Sequence, residues 1–156
     1  MPGDVVNPAT RSRMMAGIKG KNTKPELLVR RGLHALGFRF VLHDGRLPGK
    51  PDMVLPRWRA AVFVHGCFWH GHDCPLFRWP STRQDFWRQK IRRNRERDTE
   101  VERELDDAGW RVLKIWECSL KGAGRIGIDR VVPIAADWLR SEKRGSEIRG
   151  TMRASG

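Results

Sequence analysis

Three of the five histidines and two of the three cysteines fall within ten residues: His65, Cys67, His70, His72 and Cys74. Imidazole and thiolate at that density are a metal-binding set. Zinc takes four tetrahedral N and S ligands, and structural zinc sites favour thiolate with imidazole. Cys67, His72 and Cys74 offer three ligands on one short loop. Cys118, the remaining cysteine, follows an expected strand end and is the candidate for the fourth; a Cys₃His site there would staple the loop to a sheet. The competing reading is two ordinary buried cysteines beside surface histidines, and the C-x4-H-x-C spacing is not a common finger signature. His65 and His70 stay outside the zinc set. Imidazole titrates near neutral pH, so each is a candidate for catalysis or phosphate contact, or else a structural histidine.

Asp52 is the second point of interest. It opens a short apolar run after Pro51 and a Gly-containing turn. Mg²⁺ prefers carboxylate oxygens and keeps several waters. An acid at a strand mouth, facing a second strand that ends in His65, could hold Mg²⁺ beside a scissile phosphate, where a metal-bound water becomes a better nucleophile. A plain turn-forming Asp is the alternative. Glu26 could supply a second carboxylate, and it also sits where Thr23-x-x-Glu26 reads as a capping box.

The elements that must position these groups follow from periodicity. Residues 10–18 suggest a short helix after a loose arm, and 24–36 a second helix closed by Gly37. Strands are expected at 38–42, 51–55 and 60–64, the last two paired as a hairpin. A long helix is expected from a cap at Ser81 or Thr82 to about Ala108, with Lys90, Arg92, Arg93, Arg95 and Arg97 clustered on it. A strand at 110–116 and a helix at 126–139, questioned by Pro133, complete an α/β layered domain with a mixed sheet. Trp110, Trp116 and Trp138 are expected in the core. The polar segment 141–156 is expected to be a disordered tail.

Composition bounds the partners. The 156 residues carry 31 Lys and Arg against 18 Asp and Glu, a formal net charge of +13. That length suggests one domain. Such a surplus favours a polyanion, nucleic acid first and an anionic membrane surface second. No apolar run reaches the roughly 18 residues of a membrane span. The N-terminus lacks a secretory layout. With an odd number of cysteines, this points to a reducing, cytoplasmic setting. No coiled-coil heptads are visible, so a monomer is expected.

Several segments together are more specific: ATRSRMM (9–15), LPGKPDMV (47–54), FVHGCFWHGHDCP (63–75), FWRQKIRRNRERD (86–98) and GWRVLKIWECSL (109–120). They resemble the very-short-patch-repair (Vsr) endonucleases over about the first three quarters of the chain. The resemblance implies a PD-(D/E)xK nuclease-like mixed sheet flanked by helices, with a structural zinc. It implies an N-terminal DNA-contacting arm over 1–20 and a nuclease domain over 21–140. The implied reaction is Mg²⁺-dependent nicking of one DNA strand 5′ of the T in a T·G mismatch, the product of 5-methylcytosine deamination. A cytosine DNA methyltransferase is the implied functional partner, with general mismatch-repair proteins as further candidates.

Residue by residue, the resemblance makes Asp52 the essential Mg²⁺ ligand and His70 a general acid or base. His65 would line the same centre, oriented by Asp98, with Glu26 as the nearby second acid. Cys67, His72, Cys74 and Cys118 would hold zinc. Phe68, Trp69 and Trp87 would wedge into the base stack, Met15 from the opposite groove, while Lys90 and Asn94 read the mismatched bases. The usual (D/E)xK half-motif is absent, because the strand ends Val64-His65-Gly66. Val64 stands where some members carry Thr, so a Mg²⁺ contact there must come from its backbone carbonyl. A non-catalytic zinc-stapled DNA-binding module and a nuclease of the same fold with another target are the competing readings.

Overall fold

The computed structural model describes residues 22–151. Met15, the suggested helix at 10–18 and the whole arm over 1–20 lie outside them. A five-stranded mixed sheet runs in the order β1 (Val41–Leu42), β2 (Met53–Leu55), β3 (Ala60–His65), β4 (Arg111–Trp116), β5 (Gly145–Ile148). The first two pairings are antiparallel and the last two parallel. Three helices cover it: α1 (Lys24–Ala35), α2 (Gln84–Asp107) and α3 (Ile128–Arg140).

Strand β3 is apolar from Ala60 to Val64 because both of its faces are covered, as central strands of a layered sheet require. Its side chains alternate. Ala60 and Val62 join Met53, Leu113 and Ile115 in the main core beneath α1 and α3, with Leu33 and Leu139. Ala61 and Phe63 face the other way, onto Val101 and Leu105 of α2. The first helix starts where Thr23 Oγ1 accepts from Glu26 N, and it closes with Phe38 N–H reaching back to Leu33 O.

Several boundaries shift from expectation. Only Val41 and Leu42 of the 38–42 segment pair as strand; Phe38 instead turns into the core. The long helix begins at Gln84 after Arg83 in a left-handed conformation, without a side-chain cap from Ser81 or Thr82. Pro133 does not break α3: it is solvent-exposed, as is Asp129, whose carbonyl it leaves without a helical donor. Trp116 and Trp138 are buried, and Trp110 packs against the second core from a half-buried position.

The tail expected to be disordered is largely structured. Residues 145–148 form β5, in parallel register with Val112–Ile115. Three of its four residues are exposed, so the segment reads as polar, yet Ile148 is buried in the main core. Arg111 routes the chain into this strand by donating to the carbonyls of Leu139 at the end of α3 and Lys143 before β5. Beyond it, Gly150 N–H donates to Cys118 Sγ at 3.3 Å. A side chain at Gly150 would meet Cys118 O at 2.2 Å, so only glycine permits this approach. Among the described residues, no helix is long and apolar enough to cross a membrane.

Ile148→Ala is expected to destabilise the fold by about 2–4 kcal/mol, read as a lowered urea midpoint with an unchanged slope. An unchanged midpoint would remove β5 from the cooperative core.

Candidate active site and metal centre

The β2–β3 ladder ends at Met53↔Val62. Beyond that pair the strands part, and Val64 N–H donates to Asp52 Oδ2 at 2.7 Å. Asp52 is buried, and burial pushes its carboxyl up to about 7, the Val64 amide and Arg30 opposing the rise and Glu26 adding to it. Glu26 lies on the α1 side. It is 1% exposed and fully engaged: Asn22 N–H at 2.7 Å, Arg30 Nη1 at 3.0 Å and His43 Nε2 at 2.6 Å. Ligand atoms of Glu26, His43 and Asp52 lie within 4.8 Å of one another. Glu26 thus keeps its place at the helix start while standing beside Asp52.

On the other side of the strand mouth, His70 Nδ1 lies 2.5 Å from Asp98 Oδ2 of α2. This corrects one expectation: Asp98 orients His70, not His65. His65 instead stacks flat under His70, ring centroids 3.8 Å apart and planes 8° apart. Burial holds the His65 imidazole well below its usual range, His70 and Lys114 adding to the effect. His65 is therefore neutral at pH 7, and its Nδ1 finds no hydrogen-bond partner among the described residues. Asp52, Val64, His65, His70 and Asp98 line one cleft of about 250 Å³. Lys50 and Arg97 line it too, which the sequence reading missed, as it missed His43 on Glu26. Arg97 is legible only as one member of the basic cluster on the long helix, and Lys50 and His43 carry no local signal of their place.

The segment between β3 and α2 carries the other cluster. Cys67, His72, Cys74 and Cys118 bring one ligand atom each within 4.8 Å of the others. His72 Nδ1 is 3.6 Å from both Cys67 Sγ and Cys118 Sγ. Donors held at about 2.0–2.3 Å by one tetrahedral zinc stand about 3.6 Å apart, so the donor set and spacing fit that ion. Burial pushes the Cys67 and Cys118 thiols up and lowers His72 to about 4. His72 lies flat on Trp116, centroids 3.8 Å apart. At Gly71, with φ +58°, a side chain would meet Ile91 Cγ2 at 2.5 Å. Asp73 O accepts from Arg149, so the end of the chain clasps this loop.

The same loop projects aromatic rings. Phe68 touches Trp69, Phe77 and Trp87 at centroid distances of 5.1, 5.9 and 5.3 Å. All are partly exposed. Phe68 and Trp69 also wall a hollow of about 710 Å³ that shares Val64, His65 and Gly66 with the cleft and is edged by Lys24 and Lys121. Lys90 is half-buried on α2. Asn94 lines the cleft and spends its side-chain N–H on Trp69 O at 2.8 Å.

Residues 3–76 match the family described as DNA mismatch endonuclease Vsr. The DNA mismatch endonuclease Vsr of Escherichia coli is 39% identical over 145 residues, 93% of each chain. The type II nicking enzyme V.XorIIP of Xanthomonas oryzae is 46% identical over 79% of this chain and 90% of its own. The type II nicking enzyme V.NmeAIP of Neisseria meningitidis is 47% identical over 76% and 84%.

Elemental analysis is expected to find one zinc per chain. Cys118→Ala should lower the zinc content and destabilise the protein by about 4 kcal/mol or more; full zinc in that variant would refute Cys118 as a ligand. In metal-free protein, Asp52 retains a proton between its unfolded value near 3.8 and about 7. The folded state then binds more protons than the unfolded one, so stability falls as pH rises through that window. The loss is at most about 4 kcal/mol. Thermal melts across pH should show it in wild type and lose that component in Asp52→Asn.

Proposed function

The chain belongs to the Vsr family of DNA mismatch endonucleases, and from that premise we propose that it nicks one DNA strand on the 5′ side of the thymine in a T·G mismatch. As a member it is a DNA endonuclease, a hydrolase of phosphodiester bonds. The observation that carries the finer reading is a single cleft holding both a buried carboxylate, Asp52, and the His70–Asp98 pair.

The Asp52 carboxylate and the Val64 backbone carbonyl would hold Mg²⁺, with Glu26 as the acid alongside. The fit rests on Asp52 itself: it is buried, raised in pKa by that burial, and accepts from the Val64 amide. When bound, Mg²⁺ supplies charge neutralisation at the scissile phosphate and a more acidic water. Asp98 fixes the orientation of His70 through Nδ1, which leaves Nε2 for proton transfer to or from the reacting oxygens. His65, held neutral and stacked beneath His70, limits its tilt. Hydrolysis forms a bond from water oxygen to phosphorus and breaks one P–O ester bond; the water proton and the departing oxygen are the two partners His70 can serve.

Selectivity follows from unstacking. Opening a base step costs a few kcal/mol, least at a mismatch. Each aromatic stacking contact returns roughly 1–3 kcal/mol. Phe68, Trp69 and Trp87 would enter the stack from one side and Met15 from the other groove, with Lys90 and Asn94 facing the mismatched bases. Zinc on Cys67, His72, Cys74 and Cys118 would be structural, holding this loop. The biological substrate would be the lesion left by a cytosine DNA methyltransferase, in the cytoplasm. General mismatch-repair proteins would be further partners in this reading, and the enzyme would work as a monomer.

A strand-resolved cleavage assay on T·G and matched duplexes tests the proposal. One Mg²⁺-dependent nick 5′ of the mismatched T is expected, abolished by Asp52→Ala and slowed about 10²–10⁴-fold by His70→Ala. Equal cutting of matched DNA would discard mismatch repair, and unchanged activity in Asp52→Ala would discard the mechanism.

A further inference from the structure

The long helix α2 has a second basic face that the reaction does not use. Arg88, Arg92 and Arg95 recur at i, i+4 and i+7. They lie about 100° round the helix from Asn94 and Asp98, which face the cleft. All three are exposed. Among the described residues none of them is in an ion pair. With Trp79 they wall a groove of about 300 Å³ floored by Ile91; Glu96 is the acid on its edge.

Trp79 sets this face apart from an ordinary solvated charge run. It is 41% exposed, and the Arg88 guanidinium lies over its ring at 4.6 Å from the centroid. Its edge meets Phe77 at 4.9 Å, and Phe77 stacks on Phe68. An aromatic ridge therefore runs from the proposed wedge directly to the arginine strip. An exposed tryptophan holding a guanidinium in place, beside two more unpaired guanidiniums, presents donors already oriented for an anionic chain.

We propose that Trp79, Arg88, Arg92 and Arg95 form an accessory DNA track that grips backbone phosphates flanking the mismatch. The inference rests on the DNA-nicking reading above and extends its footprint. The strip spans about 10 Å of helix, and the same length of duplex carries about three phosphates per strand. Phosphate contacts of this kind set position and affinity without reading sequence. Charge favours DNA over an acidic protein surface as the occupant: the strip shares its helix with Lys90 and Asn94 and continues the ridge that meets the bases.

The test uses full-length, zinc-loaded protein and measures affinity for a T·G duplex and for its matched counterpart across a salt series. Wild type is compared with the triple variant Arg88→Gln, Arg92→Gln, Arg95→Gln and with the corresponding triple Lys variant. The Gln variant should have a salt slope shallower by about 2–3, at roughly 0.9 per phosphate contact. The loss should be equal on both duplexes, and the single-turnover nicking rate at saturating DNA should be unchanged. The Lys variant keeps the charge and should keep the slope, which separates lost contacts from a damaged fold. An unchanged slope in the Gln variant overturns the track, whatever else that face binds, and so does a loss confined to the T·G duplex. Wild-type protein that binds no DNA would instead overturn the nicking reading beneath it.

Discussion

The convergence of Cys67, His72 and Cys74 on Cys118 is the constraint from which the rest hangs. The segment from Gly66 to Arg83 contains no helix or strand. Loops of that length rarely hold one shape unaided. Here the loop carries Phe68, Trp69 and His70 in succession, so its shape has to come from outside. The four donors tie it to the end of β4, Asn94 ties Trp69 O to α2, and the chain end closes over it through Gly150 and Arg149. Without those ties, the His70–Asp98 distance would have nothing to fix it.

The second organising feature is the parting of β2 and β3. Once the ladder stops, the Val64 amide is available to a side chain rather than to a strand. Asp52 takes it, and so a carboxylate is held at the sheet's edge while remaining buried. Burial makes that group costly in its charged form, and its carboxyl is pushed up to about 7. The neighbouring Glu26 shows the contrast. It is equally buried but already satisfied by Arg30, His43 and a backbone amide. Two buried acids a few ångströms apart thus differ in their partners.

Helix α2 joins these two features. One face packs on the core through Val101 and Leu105 and carries Asn94 and Asp98 to the cleft, and another, about 100° round the helix, is mostly cationic. A single element therefore links the cleft to the cationic strip.

Much of this was legible in the residues. Type and spacing grouped Cys67, His72 and Cys74 on one loop with Phe68 and Trp69, and set Asp52 at the start of a strand paired with the one that ends in His65. Helices α1 and α3 followed from local periodicity, because caps and apolar faces are properties of neighbouring residues. What only the tertiary structure decided are pairings between distant segments. Asp98 chose His70 rather than His65, because the loop stacks the two rings and presents only the upper one to α2. His43 reached Glu26 from a different element. Residues 145–148 became a strand because β4 offered a parallel edge and a place for Ile148, although their own composition is that of a polar tail. Chemistry is carried by residue identity and can be read along the chain; partner choice depends on which surfaces the fold brings within a hydrogen bond, and no local pattern encodes that.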